Sequence, residues 1–183
     1  GVRVRAGGGG TRGWPADEGA RGGARRQGRA RGQDDVGERP EDEGETPPVD
    51  ACGDSPAMAD RLLGFVLNGP RRATAGFVED YAVDNEPLPE VGSHWVVTDG
   101  NRTPRAVLRF TDVRTGRLDS VDDQFAWDEG EGDRTRSTWL ADHREFGERR
   151  FAAQGITVPP LGIDSMVAVF QRFEIVWPPE SAD

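Results

Sequence analysis

A short turn at residues 69–74 carries the densest set of ligand-binding groups in this sequence. It contains the guanidinium groups of Arg71 and Arg72 and the hydroxyl of Thr74, shortly after Gly69. Guanidinium groups form strong charge-assisted hydrogen bonds, and loops held on a rigid frame often carry binding residues. This segment, the 69–74 turn, therefore indicates a surface for an anionic or polar ligand.

A second group of chemically active side chains is acidic. Glu129 and Glu131 are separated by a glycine, and Asp128 and Asp133 flank them. Repulsion among neighbouring carboxylates can raise the pKa of one of them, which suits a general base. Acidic residues interrupted by glycine are weak evidence for a metal site, and the two histidines and single cysteine show no metal-ligand spacing. We therefore expect no metal and no cofactor.

Aromatic and basic side chains extend the candidate binding surface. Trp127 and Tyr81 are the better candidates for stacking on a base, as aromatic rings do in proteins that read single-stranded RNA. Trp95 and Trp139 instead lie in periodic apolar segments, which is typical of a core. His143 falls on a helix, where an exposed position is the commoner case. A basic rim would combine Arg71, Arg72, Arg102, Arg105 and Arg134.

The helix that must position the turn has clear boundary signals. Asp54 and Ser55 can cap its N-terminus, and Pro56 suits its first turn. Apolar residues then recur at helical spacing as far as Leu67. Gly69 predicts a left-handed end to the helix, so the 69–74 turn begins where the helix stops.

Strand signals follow at intervals along the rest of the chain. Residues 72–78 predict a weak strand, and residues 165–177 predict the strongest one. Between them, residues 94–98 and 105–113 predict a hairpin, because Asp99-Gly100-Asn101 joins them.

Two further helices are predicted between the hairpin and the last strand. A short helix opens after residue 119, where Ser120 and Asp123 resemble a capping box. An amphipathic helix then starts at Thr135 or Ser137 and continues through Phe146. Strands interleaved with helices predict an α+β fold with a mixed, partly closed sheet.

Composition divides the chain at about residue 50. Residues 1–50 hold 13 of the 25 glycines and no Ile, Leu, Phe or Met, so they cannot bury enough apolar surface to offset chain entropy. Net charge is +6 over residues 1–33 and −7 over residues 34–50. We expect a disordered tail. The lack of lysine and of an initial methionine favours an extension translated from GC-rich upstream sequence over a nucleic-acid-binding tail.

The remaining residues, 51–183, carry 14 arginines against 23 acidic residues, a net charge of −9. This balance argues against broad, charge-driven binding to duplex DNA. No apolar run approaches the length of a membrane span and no signal peptide is visible, so we expect a cytoplasmic location.

Several motifs, in order, resemble a bacterial ASCH domain over about residues 51–178. They are Gly53-Asp54-Ser55-Pro56 with the helix after it, Gly69-x-x-x-Ala73-Thr74-Ala75, Glu86-Pro87-Leu88-Pro89-x-Val91-Gly92, Phe125-Ala126-x-x-Glu129-Gly130-Glu131-Gly132-Asp133-Arg134, and Arg172-Phe173-Glu174-x-Val176. The resemblance implies a PUA-like fold, a small mixed β-barrel flanked by helices, with a C-terminal tail at residues 179–183. It also implies RNA or nucleoside ligands, and one branch of the family removes the acetyl group from acetylcytidine.

In that branch a Lys, a Thr and a Glu carry the reaction. The resemblance places them at Arg71, Thr74 and Glu129, with Ala126 before the last, so Thr74 could act as nucleophile and Glu129 as its base. Arg71 departs from the Lys, because arginine effectively cannot lose its proton and can serve only as a fixed positive charge. Gly76 also stands where the branch has an arginine. The alternative is that Thr74 is an ordinary strand residue and Glu129 a solvated carboxylate.

We therefore predict a protein that binds RNA or a modified nucleoside in a cleft formed by the 69–74 turn and the segment around Glu129. One alternative is a hydrolase, an acetylcytidine amidohydrolase or a ribonuclease, which uses Thr74 and Glu129 with support from Arg71. Another is a protein-interaction module without nucleic acid, which the acidic net charge suggests. Further ligand contacts are expected from Gly69, Arg72, Tyr81, Trp127, Glu131 and Arg134.

Overall fold

Six strands and four α-helices build the part of the chain that the structure, a computed structural model, describes: residues 3–4 and 46–183. Residues 3–4 and 47–183 belong to one compact unit, and every feature below lies in it. The predicted disordered tail lies almost wholly outside the described residues. The strands are β1 (Arg3–Val4), β2 (Val49–Cys52), β3 (Ala73–Phe77), β4 (His94–Thr98), β5 (Pro104–Arg117) and β6 (Val167–Trp177), and the helices are α1 (Pro56–Asn68), α2 (Val78–Val83), α3 (Asp123–Glu129) and α4 (Arg136–Gln154).

The strands form one mixed sheet in the order β1-β2-β4-β5-β6-β3. Only β2 and β4 run parallel among the described strand pairs. The predicted α+β class with a mixed sheet is therefore confirmed. Because β1 and β3 are the two edges, hydrogen bonds among the described strands do not close the sheet into a complete barrel.

The helix α1 begins as its sequence predicts and ends differently. The Ser55 hydroxyl accepts a hydrogen bond from the Met58 N–H at 3.3 Å, and Pro56 occupies the first position. The left-handed end predicted at Gly69 is wrong, since its backbone is extended (φ −131°, ψ −163°). Glycine is needed there for a close approach, because a Cβ would lie 3.0 Å from the Phe65 carbonyl oxygen.

The predicted weak strand after the turn is confirmed as β3, an edge strand that is nevertheless buried along its whole length. It pairs antiparallel with β6, and Thr74 lies opposite Gln171. A glycine of α4 lets this helix approach the strand closely: a Cβ on Gly147 would lie 2.8 Å from the ring of Phe77. This close packing places α4 against the strand that carries Thr74.

Caps on α3 and α4 fix the segment between them. The capping box predicted at Ser120 is wrong, because Ser120 lies in a short 3₁₀ turn and Asp122 caps α3, accepting from the Phe125 N–H at 2.7 Å. Gly130 ends α3 in the left-handed conformation, with φ 72°. Thr135, one of the two predicted starts, caps α4.

Two clusters of buried apolar residues lie around the sheet, one including α1 and Trp95 and the other including α3, α4 and Phe170. Alternate residues of β6 contribute to each: Phe170 belongs to the α3–α4 cluster and Phe173 to the α1 cluster. The 69–74 turn carries the chain from α1 to the α3–α4 side, which brings it beside Glu129. None of the described helices is both long enough and apolar enough to cross a bilayer.

Two segments carry more structure than the sequence predicts. Residues 78–83 form α2, whose Asp80 pairs with Arg150 of α4. Residues 179–183, expected as a tail, contain a 3₁₀ turn, and Asp183 accepts hydrogen bonds from the Ile175 N–H at 2.9 Å and from the Arg72 guanidinium at 2.8 Å.

Candidate functional site

The 69–74 turn is held against two helices by its own backbone. The Arg71 N–H donates to the Phe65 carbonyl of α1 at 3.2 Å, and the Arg72 N–H donates to the Asp128 carbonyl of α3 at 2.8 Å. Gly130 lies directly against the turn: a Cβ at this position would be 3.0 Å from Pro70 and 3.2 Å from the Arg71 nitrogen. The glycine after Glu129 is therefore required both for its positive φ and for this contact.

Arg71 is the centre of a buried polar cluster. Its side chain is fully buried. Nη2 donates to Thr74 Oγ1 at 3.0 Å and to Glu129 Oε1 at 3.1 Å. Nη1 donates to the Glu129 carbonyl at 3.2 Å and to Glu131 Oε1 at 2.5 Å. The structure thus brings Thr74, Glu129 and Glu131 each within hydrogen-bonding distance of the Arg71 guanidinium.

Glu129 is also fully buried, and its carboxylate has three donors. Oε1 accepts from Arg71 and from the Ala75 N–H at 3.2 Å, and Oε2 accepts from the Trp139 indole N–H. His143 Nε2 lies 3.7 Å from Oε2. These three donors, from a side chain of the 69–74 turn, the β3 backbone and α4, fix the orientation of the Glu129 carboxylate.

His143 completes the inner wall of the cluster. The predicted surface position is wrong, because the residue is 5% exposed and its ring stacks on Trp139 with centroids 3.6 Å apart. Nδ1 lies 2.9 Å from the Trp139 carbonyl oxygen, which can only accept, so Nδ1 carries the proton and Nε2 faces Glu129 unprotonated. Burial lowers the pKa of His143 to about 4, although the Glu129 charge acts to raise it.

Electrostatics make the cluster a fixed, net-negative site. Burial acts to lower the pKa of Arg71, but Glu131 and Glu129 outweigh it, so this pKa is raised and the guanidinium stays charged. Burial likewise opposes ionisation of Glu131, yet surrounding positive charge that includes Arg71 lowers its pKa. One guanidinium and two carboxylates leave a net charge of about −1. Glu131 is the accessible member of the pair, since 19% of its side chain is exposed and Glu129 has none exposed.

The other residues expected to bind a ligand make contacts outside this cluster. Arg72 turns toward the C-terminus and binds Asp183 and the Val66 carbonyl. Tyr81 is buried, and its hydroxyl accepts from Gln171 at 2.9 Å. Gly69 contacts α1. Trp127 and Arg134 lie on the solvent side of α3 and contact each other.

Sequence reasoning did not place Trp139 and His143 against Glu129. Trp139 was interpreted as a core residue, and it is buried, but its indole N–H is a donor to Glu129. The two residues are four apart on α4, which puts them on one helix face. The sequence signal for their role is that Trp139 and His143, which both carry ring N–H groups, lie on the side of α4 that also buries Leu140 and Phe151. Among the described residues, no group of three or more His, Cys, Asp or Glu side chains is placed to hold a metal ion.

Known proteins share this arrangement of strands and helices. A sequence model described as the ASCH domain matches residues 49–177. The crystal structure of an ASCH domain from Lactobacillus crispatus is 28% identical, with a TM-score of 0.61 over 69% of this chain and 77% of that one. A crystal structure of a protein from Enterococcus faecalis is 30% identical, with a TM-score of 0.61 over 69% of this chain and 74% of that one. No functionally curated protein shows significant similarity to the chain.

Proposed function

The chain belongs to the ASCH domain family, whose PUA-like fold is associated with RNA binding, and from that premise we propose that it binds a cytosine-type base of RNA or of a modified nucleoside in a cleft beside Arg71. The observation that carries the proposal is the buried contact of Arg71 with Thr74, Glu129 and Glu131. These groups join the 69–74 turn to the segment at residues 129–131. Glu131 is the carboxylate that a ligand can reach.

Charge decides which part of a nucleotide this cleft accepts. The Nη atoms of Arg71 already donate to two carboxylates and a hydroxyl, so the guanidinium is not a phosphate-binding group. A net-negative site repels phosphate and favours a donor. Cytosine presents an exocyclic amine, to which Glu or Asp side chains are matched acceptors, whereas uracil presents a carbonyl there. Glu131 therefore supports recognition of cytosine or of a derivative that keeps an N–H at that position.

Titration calorimetry with cytidine and uridine tests this function. We expect cytidine to bind at least about tenfold more tightly than uridine, because cytidine places an amine donor against the Glu131 carboxylate where uridine places a carbonyl oxygen. Glu131→Gln should weaken cytidine binding about tenfold. The control is Glu148→Gln, at an exposed acid on α4, which should change the cytidine affinity by less than about twofold. Equal binding of the two nucleosides, or an unchanged Glu131→Gln variant, would contradict the proposal.

A second candidate function, amide hydrolysis, is favoured by one contact. Thr74 Oγ1 and Glu129 Oε1 accept from the same Arg71 nitrogen, so a hydroxyl nucleophile and a carboxylate lie together. The Thr74 oxygen would attack the acetyl carbon of acetylcytidine while its proton passes to Glu129. The bond between the acetyl carbon and the cytosine nitrogen would then break as Glu129 returns the proton to that nitrogen, which releases cytidine and leaves an acetyl ester on Thr74. Water would hydrolyse this ester to acetate and restore the Thr74 hydroxyl. Binding without chemistry ranks first, because Thr74 and Glu129 are buried, and Thr74 Oγ1 and Glu129 Oε1 already accept from Arg71.

Acetate release from acetylcytidine tests the hydrolase. Turnover by the parent protein, lost in Thr74→Val and retained in part by Thr74→Ser, would support a nucleophilic Thr74. Far-ultraviolet circular dichroism of each variant controls for folding. No acetate from the parent protein, or full activity in Thr74→Val, would remove this candidate.

A further inference from the structure

Trp127 forms an exposed aromatic platform on the outer face of α3. The residue is 53% exposed, although most large apolar side chains of this helix are buried. The guanidinium carbon of Arg134 lies 3.7 Å from the indole centroid. Arg134 Nε and Nη2 also donate to the Trp127 carbonyl at 2.9 and 2.7 Å. The indole is thus backed by a cation that is fixed to the same residue.

The backbone around Arg134 shows that this pairing is ordered before any ligand arrives. Arg134 has φ 63°, a left-handed conformation that is unfavourable for residues other than glycine. The two hydrogen bonds to Trp127 and the stacked geometry help to hold it there. A preorganised surface loses little side-chain entropy on binding, which favours its use as a contact surface.

The charge of Arg134 is not neutralised by nearby acids. Over residues 46–183, no carboxylate lies within ion-pair distance of Arg134. Its acidic neighbours are engaged elsewhere: Asp128 accepts from Arg172 at 3.0 Å, and Asp133 accepts from the Thr135 N–H at 3.0 Å. Arg134 thus differs from Arg71, whose charge is shared with two carboxylates.

We propose that Trp127 and Arg134 form a second contact for single-stranded RNA outside the cleft, in which the indole stacks on a base and Arg134 contacts a phosphate. The proposal rests on the proposed function in that RNA is the polymer that reaches the cleft. The Cα atoms of Trp127 and Glu129 are about 5.4 Å apart on α3, but their side chains point to opposite sides of the helix. An RNA strand must therefore pass around α3 to reach both sites, so the platform suits a nucleotide further along the strand than the base in the cleft. Stacking accepts any base, so the platform favours polymer over free nucleoside.

The test compares two ligands on the full chain at about 150 mM salt, where screening suppresses non-specific attraction. Binding of a fluorescent single-stranded hexacytidylate is followed by anisotropy, and binding of free cytidine by calorimetry. Trp127→Ala should weaken hexamer binding about tenfold and leave cytidine affinity within about twofold. Trp127→Phe should restore most of the hexamer affinity. Arg134→Ala should weaken hexamer binding and reduce its salt slope by about one phosphate contact. Trp177→Ala, at a similarly exposed tryptophan, should change neither affinity.

Each outcome separates the platform from the cleft. Unchanged hexamer affinity in Trp127→Ala overturns the platform, as does an equal loss for hexamer and cytidine, which indicates a structural role. If the parent protein binds hexamer through Trp127 but not cytidine, the platform stands and the cleft fails. If the parent binds cytidine but not the hexamer, the cleft stands, the platform proposal is wrong, and a protein partner becomes the better occupant.

Discussion

Arg71 determines the chemistry of the candidate site through the number of its donors. A lysine at this position would offer one compact charge, whereas the arginine directs both Nη atoms at three side chains and a carbonyl. Without the Arg71 guanidinium, the carboxylates of Glu129 and Glu131 would repel each other. The same guanidinium that organises the site is held in its charged form, which excludes it as a general base.

Replacing Arg71 by lysine should therefore destabilise the fold. We expect a loss of about 2–4 kcal/mol in the free energy of unfolding, because Glu129 and Glu131 would keep only part of their hydrogen bonds in a buried setting. Urea unfolding of the parent protein and the variant measures this loss in the free energy of unfolding. Arg109→Lys, in an exposed pair with Glu174, is the matched control and should cost less than about 0.5 kcal/mol. Equal losses in the two variants would show that the buried cluster does not stabilise the fold.

His143 gives the fold a specific pH dependence. Its folded pKa of about 4 lies below the ordinary histidine value of about 6.5. Between these values the unfolded chain binds a proton that the folded protein excludes, so stability falls as the pH falls from about 6.5 to 4. Relative to His143→Gln, the parent protein should lose about 2–3 kcal/mol between pH 7 and pH 4.5. Parallel pH profiles of urea unfolding for the two proteins would contradict this assignment.

The resemblance to the ASCH domain, added to residue types and spacing, predicts that Arg71, Thr74 and Glu129 share a site, but it does not predict the inner wall. Arg71, Thr74 and Glu129 stand out as polar groups beside glycines, in loops and at element ends. Trp139 and His143 lie inside a helix, where a tryptophan predicts core packing and a histidine predicts a surface position. Only the packing of α4 against β3 turns both toward Glu129. Whether any of these residues contacts a ligand stays a prediction.

At the scale of elements, local signals predicted starts better than ends. Ser55 and Thr135 cap their helices through side chains that hydrogen-bond three residues ahead, so the sequence alone identifies them. The end of α1 and the whole of α2 are accompanied by contacts with distant residues: just after α1 the Arg72 N–H donates to the Asp128 carbonyl, and Asp80 of α2 pairs with Arg150. Whether a sheet closes also depends on strands far apart in sequence.

The close approach of Gly130 to the 69–74 turn can be separated from its backbone conformation. Gly130 and Gly155 have nearly equal positive φ values, 72° and 69°, but a Cβ on Gly155 meets nothing within 4 Å. Gly155→Ala should cost about 1 kcal/mol, the price of the left-handed conformation. Gly130→Ala should cost about 1–3 kcal/mol more, because it pushes Pro70 and Arg71 outward. Equal losses in urea unfolding would show that the turn does not need this contact.

Packing of α4 on β3 allows a similar comparison within helices. A Cβ on Gly147 would lie 2.8 Å from Phe77, whereas a Cβ on Gly64 of α1 meets nothing within 4 Å. Gly64→Ala should raise the free energy of unfolding by about 0.5–1 kcal/mol, since alanine is the better helix former. Gly147→Ala should lower it by about 1–3 kcal/mol through overpacking. Stabilisation by both variants in urea unfolding would contradict this account of the α4–β3 contact.

At the scale of the whole molecule, an acidic protein must bind nucleic acid through local geometry. Residues 51–183 carry a net charge of −9, and the candidate cleft itself is net negative. Cytidine binding should therefore vary by less than about twofold between low and moderate salt, because no phosphate is neutralised. Calorimetry at about 50 and 300 mM salt checks this. A cytidine affinity that falls tenfold with salt would indicate a binding mode that the cleft does not provide.

We propose that a cytosine base enters the cluster of Arg71, Thr74, Glu129 and Glu131. The indole N–H signals of the five tryptophans test it most directly in a nitrogen–proton spectrum titrated with cytidine, assigned by Trp→Phe variants. Trp139 donates to Glu129, so its signal should shift progressively and saturate, whereas Trp95, buried in the α1 cluster, should not move. A Trp139 signal that stays fixed at saturating cytidine would contradict the claim.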